Sequence, residues 1–135
     1  MLTRVLRNPT GRLMLAATLS LLTLYAQADR GTITGLVVDP QGAAIEGASI
    51  QITNQNTQLV TTVVSGAGGN YTSPPLIIGT YDVRVTLPGF KAFISSGIRL
   101  DSGQTFRQDV TMEVGDVNQR VEVNASAAAL NEVNS

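Results

Sequence analysis

Beyond residue 30, apolar and polar residues alternate with a period of two along much of the chain. In Tyr81–Leu87, Tyr81, Val83, Val85 and Leu87 share one parity, and Asp82, Arg84 and Thr86 share the other. That pattern predicts a strand with one buried and one wet face. Pro88-Gly89 ends it. The fixed φ of Pro88 and the access of Gly89 to positive φ predict a tight turn, after which Phe90 folds back as a plug on the end of the core.

Similar runs recur at short intervals. Thr32–Val38 comes first and stops at the turn Asp39-Pro40-Gln41-Gly42. Ala48–Thr53 places Ile50 and Ile52 on one face, and Leu59–Val64 is rich in the β-branched residues that suit a pleated surface. A short strand at Tyr71-Thr72 follows the glycine-rich turn Ser65–Asn70 and ends at Pro74-Pro75. Lys91–Ser95 and Gly97–Leu100 flank a bend. Gln104–Val114 is the longest alternating run, with Phe106, Val110, Met112 and Val114 expected inward and Arg107, Asp109 and Glu113 outward. Asn118–Val123 alternates last. No helical period persists in this part of the chain. Seven or eight short strands at such spacing predict an all-β antiparallel sandwich.

The first 28 residues follow a different pattern. Arg4, Arg7 and Arg12 precede an apolar run, Leu13–Leu24, and then Ala26-Gln27-Ala28. A positive segment, a short apolar core and an A-x-A site, in that order, predict a secretory signal-peptide helix. The apolar run is shorter than the ~20 residues that a spanning helix needs. Cleavage is expected after Ala28, with Ala26 and Ala28 as the recognised small residues. The expected organisation is a leader at 1–28, a sandwich at 29–115, and a last strand with a linker at 116–135.

Composition narrows the chemistry. The 135 residues include no Cys and no His, and the formal net charge is −1. Disulfides, thiolate or imidazole catalysis, and metal sites built on His or Cys are therefore excluded. Loss of three leader arginines leaves a more acidic exported chain, a poor match for nucleic acid. A Ser–Lys dyad would depend on Lys91, the only lysine. The aspartates are scattered, mostly at turns, where Asp usually caps its own backbone. Calcium at Asp39 and Asp101 lacks a recognisable loop spacing. No catalytic residue, cofactor or metal ligand is assigned, and the chain is expected not to be an enzyme. Sugar binding would need an exposed aromatic platform. Tyr71 and Phe93 follow turns and are the candidate ligand contacts, with burial in the core as the competing reading.

Five motifs occur in order: Gly35-x-Val37-x-Asp39, Gly47-Ala48-x-Ile50, Gly69-Asn70-Tyr71, Gly79-Thr80-Tyr81-Asp82-Val83 and Pro88-Gly89-Phe90. Together they resemble the carboxypeptidase-regulatory-like domain, over about Gly31–Val114. The resemblance implies a transthyretin-like, Ig-like sandwich, similar to carbohydrate-binding-like folds and without catalytic groups. Ser96–Leu100, Gly103-Gln104-Thr105, Glu113-Val114-Gly115 and Val121-Glu122-Val123 further resemble the N-terminal extension of Oar-like TonB-dependent outer-membrane receptors. In those receptors a plug and a β-barrel follow, and this chain stops near where the plug would begin. It departs from the family pattern at Gly66, Ser73, Ile77-Ile78 and Gln108.

The resemblance implies an exported accessory module on the periplasmic side of the outer membrane, partnered by a receptor plug and barrel or by another envelope protein. As such it would be a fragment or a truncated product. A free carbohydrate-binding module of the cell envelope is the alternative.

Overall fold

A computed structural model describes residues 29–125. The leader expectation, with Ala26 and Ala28, and the tail beyond Ala125 lie outside the described residues. Among the described residues, ten strands make up two sheets: β1 (Arg30–Val38), β2 (Ser49–Asn54), β3 (Val60–Val64), β4 (Asn70–Thr72), β5 (Leu76–Ile77), β6 (Gly79–Thr86), β7 (Ala92–Leu100), β8 (Thr105–Arg107), β9 (Val110–Thr111) and β10 (Arg120–Asn124). The expected all-β sandwich is the observed fold.

The first sheet is organised around β1. Along one edge β1 pairs antiparallel with β4 and then β5, and along the other it pairs parallel with β8 and β9. Both flanks are interrupted, and a side chain fills each gap. Where Ser73-Pro74-Pro75 separates β4 from β5, the Ile33 amide donates to Ser73 Oγ at 2.9 Å, and the Ser73 amide donates to the Ile33 carbonyl at 2.8 Å. Where Gln108-Asp109 separates β8 from β9, the Leu36 amide donates to Asp109 Oδ1 at 3.0 Å. A buried main-chain donor needs a partner, and short side-chain oxygens supply it where the ladder stops.

The second sheet runs β10-β7-β6-β2-β3. The β2, β3, β6 and β7 pairings are antiparallel, and β10 lies parallel to β7 with Val121 opposite Phe93. The chain through Asn124 is thus hydrogen-bonded into the sandwich. The bend anticipated between Ser95 and Gly97 is a β-bulge within one strand. Register shifts between Tyr81 and Val83, and the Gly97 amide donates to Asp82 Oδ1 at 3.2 Å. An unpaired bulge donor is satisfied by the side chain facing it.

The core lies between the sheets. Ile33, Val37, Ile50, Ile52, Val83, Val85, Ile98, Val110 and Met112 are all fully inaccessible. The inward parity read from Tyr81, Val83 and Val85 is the buried one, and Arg84 is exposed. At Pro88-Gly89, Gly89 has φ +88° and the Phe90 amide donates to the Leu87 carbonyl at 3.1 Å. Phe90 is half-buried and packs against the core, as the plug reading requires.

Two expectations need correction. Gln104–Val114 is not a single strand, and Val114 does not point inward but is 73% exposed. The run is interrupted at Gln108-Asp109, where the Asp109 carboxylate takes the Leu36 amide, but the inward parity continues through Val110 to Met112; Val114 lies past the end of β9. Nor are all neighbours antiparallel. β8, β9 and β10 each run parallel to the strand beside them. Period-two alternation reports which face is buried and carries no information about the direction of the neighbour.

Candidate binding cleft

Aromatic rings were the sequence candidates for ligand contact, and the structure places both inside. Tyr71 is 3% exposed and Phe93 is 7% exposed. The Tyr71 hydroxyl donates to the Gln108 carbonyl at 2.6 Å, which joins β4 to the β8–β9 break beneath β1. Burial, and then the nearby Asp109 carboxylate, push the Tyr71 phenol well above its ordinary 10.0, with Arg107 opposing. Phe93 lies on β7 within the core cluster. Neither ring offers a free face, so the core alternative holds for both.

Gln108, which departs from the family pattern, is a cross-sheet connector. Its amide donates to the Thr34 carbonyl at 2.8 Å, and its Oε1 accepts from the fully buried Ser95 Oγ at 2.9 Å. Ser95 belongs to the second sheet and Gln108 to the first, so this bond spans the sandwich. Among the described residues, every buried side-chain nitrogen and oxygen has a partner.

Several carboxylates are occupied by backbone amides and others by side-chain cations. Asp39 Oδ1 accepts from the amides of Gln41 and Ala43, and Asp116 Oδ1 accepts from Asn118. Asp101 is paired with Arg99, and Lys91 with Glu113. No group of three potential metal ligands occurs among the described residues.

The surface carries several clefts: a shallow one of about 340 Å³ lies between Ile78–Thr80 and Arg99–Asp101, and a more enclosed, mainly apolar one of about 170 Å³ lies between the start of β1, β5 and the β2–β3 hairpin. Leu59, Leu76, Ile77, Pro75 and Tyr81 form its apolar lining, and Arg30, Asn54, Thr57 and Thr61 its polar lining. The polar groups are mostly engaged. Asn54 Oδ1 caps the hairpin turn by accepting from Asn56 and Thr57, the Tyr81 hydroxyl donates to the Ile77 carbonyl at 2.6 Å, and Arg30 reaches the Pro75 carbonyl at 3.4 Å. Leu59 is 66% exposed and Ile77 51%. The volume of this apolar cleft is below the roughly 300 Å³ at which small-molecule sites begin. The lining holds no carboxylate and a single charged residue, Arg30. It suits contact with an apolar side chain better than recognition of a sugar ring.

Alternation alone did not indicate this cleft, because Leu59 and Ile77 sit next to turns. A usable signal was present all the same: no Asp, Glu, Lys or Arg occurs from Gly47 to Tyr81. That uncharged stretch supplies most of the cleft.

Comparison with known proteins agrees with this architecture. The chain is 34% identical over 123 residues to the TonB-dependent transporter Oar of Myxococcus xanthus, which covers 90% of this chain and 11% of that protein. It therefore spans about a tenth of the length of the curated relative it matches. Solved structures of similar fold include the Bacillus anthracis TIE protein, at TM-score 0.53 and 18% identity over 64% of this chain and 17% of that one. Hydroxyquinol 1,2-dioxygenase from Pseudomonas putida is similar at TM-score 0.53 and 9% identity, over 65% and 57% of the two chains. A Bacteroides uniformis protein provisionally described as carbohydrate-binding is similar at TM-score 0.51 and 23% identity, over 61% and 40%. At these identities the likeness is one of fold. The family model of the carboxypeptidase regulatory-like domain matches residues 32–113, which contain all five motifs and both sheets' central strands, and the chain belongs to that family.

Proposed function

We propose that this chain is a non-catalytic, exported accessory domain acting at the periplasmic side of the outer membrane as part of a TonB-dependent receptor. The observation that carries the reading is the 34% identity to a TonB-dependent transporter across nearly the whole chain, not the sandwich alone. The chemistry supports it. A chain without His or Cys lacks the side chains best suited to proton transfer and nucleophilic attack near neutral pH. Asp39 and Asp116 serve turns, Asp82 a bulge and Asp109 a strand break. The free sugar-binding alternative has no supporting platform, because Tyr71 and Phe93 are buried.

The test is fractionation of the native host. N-terminal sequencing of the envelope-associated protein is expected to begin at Asp29, and cross-linking in isolated outer membranes is expected to capture a receptor plug or barrel. Recovery of the chain with an intact Met1 in the soluble cytoplasm would refute the export reading. Calorimetric titration against a glycan set is expected to show no saturable heat. Tight binding to one glycan would replace this reading with the carbohydrate-binding one.

A further inference from the structure

The two edges of the second sheet are guarded very differently. β10 exposes Arg120 and Glu122, an ion pair at 3.1 Å, along its edge. β3, the opposite edge, is Val60-Thr61-Thr62-Val63-Val64, with neither charge nor proline. Sheet edges are normally blunted by charge, proline or a bulge, because a free row of amides and carbonyls templates pairing with another strand.

The hydrogen-bond parity of β3 defines what is on offer. The Asn54 amide donates to the Leu59 carbonyl and the Ser65 amide to the Ala48 carbonyl, which fixes Asn54/Leu59 and Ala48/Ser65 as bonded pairs. Antiparallel pairs alternate between bonded and non-bonded. Ile52/Thr61 and Ile50/Val63 are then bonded, and the amides and carbonyls of Val60, Thr62 and Val64 point away from β2. None of the three has another main-chain partner among the described residues. Their side chains are exposed as well, at 55% for Val60 and 61% for Val64.

We infer that β3 is a self-association edge and that its occupant is β3 of a second copy, paired antiparallel about a twofold axis through Thr62. The sequence is self-complementary in that register. Val60 of each copy lies opposite Val64 of the other, Thr62 faces Thr62, and Thr61 faces Val63. Residues with outward main-chain groups meet only each other, so both sets of donors and acceptors are satisfied. Aliphatic pairs and a Thr–Thr pair are the favourable cross-strand combinations. Charge does not oppose the arrangement. Along the row through the axis, Thr62 is followed by Gln51 and then Arg84. At ~4.8 Å per strand the two Arg84 side chains are separated by about 24 Å, well beyond the ~8 Å screening length at physiological salt.

Sedimentation velocity on the full chain at increasing concentration tests this. A monomer–dimer equilibrium is expected. Thr62→Lys and Thr62→Glu each set like charges opposite one another on the axis, and each is expected to weaken dimerisation at least roughly fivefold. Mixing the two variants is expected to restore a heterodimer as tight as the wild-type dimer, a rescue that a folding defect cannot produce. A wild-type chain that stays monomeric throughout, a dimer indifferent to both charges, or two weakened variants that fail to rescue each other would each overturn the inference.

Discussion

Gly35 lies where three segments converge on β1, and replacing it with alanine is the sharpest test of the first sheet. A Cβ at this position would sit 1.9 Å from the Gln108 carbonyl oxygen, 2.7 Å from its carbon and 2.8 Å from Tyr71 Cε1. Real Cβ contacts essentially never fall below 3.0 Å, so β1 and the β8–β9 break must separate by about 1 Å. The bonds that hold them there are short. The Gln108 amide donates to Thr34 at 2.8 Å, the Leu36 amide to Asp109 at 3.0 Å, and the Tyr71 hydroxyl to Gln108 at 2.6 Å. At about 1 kcal/mol net for each, their loss costs about 3 kcal/mol before any loss of packing. That is a large share of the ~5–15 kcal/mol that stabilises a typical domain. For a domain of this size it corresponds to a fall of roughly 12–24 °C in Tm. Urea unfolding followed by far-UV circular dichroism measures it, with Gly66→Ala as the comparison. At Gly66 a Cβ would meet only the Asn70 carbonyl, at 3.8 Å, and little change is expected. A Gly35→Ala chain within about 0.5 kcal/mol of wild type at an unchanged m value would refute the packing argument.

Further outcomes are expected from the same structure. Val85→Asp places a charge at a fully inaccessible position and should cost several kcal/mol, whereas Arg84→Ala should stay within about 0.5 kcal/mol; the reverse order in thermal melts would mean the β6 register is wrong by one residue. Tyr71→Phe removes the bond to Gln108 and should cost about 1–2 kcal/mol at neutral pH. Because the folded phenol titrates above its ordinary 10.0, the folded state disfavours the phenolate, and Tyr71 stabilises fully below pH 10 and less as pH rises beyond it. The gap between wild type and Tyr71→Phe should therefore narrow in alkali, and a gap that widens there would contradict the buried placement. Ser95→Ala should leave Gln108 Oε1 without its cross-sheet donor and cost about 1 kcal/mol, readable in the same urea titrations.

The sequence by itself determined the class of fold and which faces are buried. Alternation in Tyr81–Leu87 and in Ala48–Thr53 needs no neighbour to declare its apolar parity, because a strand's side chains alternate whatever it pairs with. Pro88-Gly89 likewise declared its turn, since the φ restrictions of those two residues are local. Absence of His and Cys restricted the chemistry in the same direct way. Tertiary structure alone decided the rest. Whether Tyr71 and Phe93 are platforms or core depends on what packs over them, and here the opposite sheet and the Gln108 carbonyl do. The direction of β8, β9 and β10 was not legible, because parallel and antiparallel neighbours impose the same period. In the sequence Ser73 and Gln108 stand out only as departures from the family pattern, and Asp109 only as an outward position. Their role as substitutes for missing ladder bonds and as a cross-sheet link exists only once strands distant in sequence lie side by side. The bare edge of β3 is the mixed case: its lack of charge is written in the sequence, but only the strand order makes it an edge.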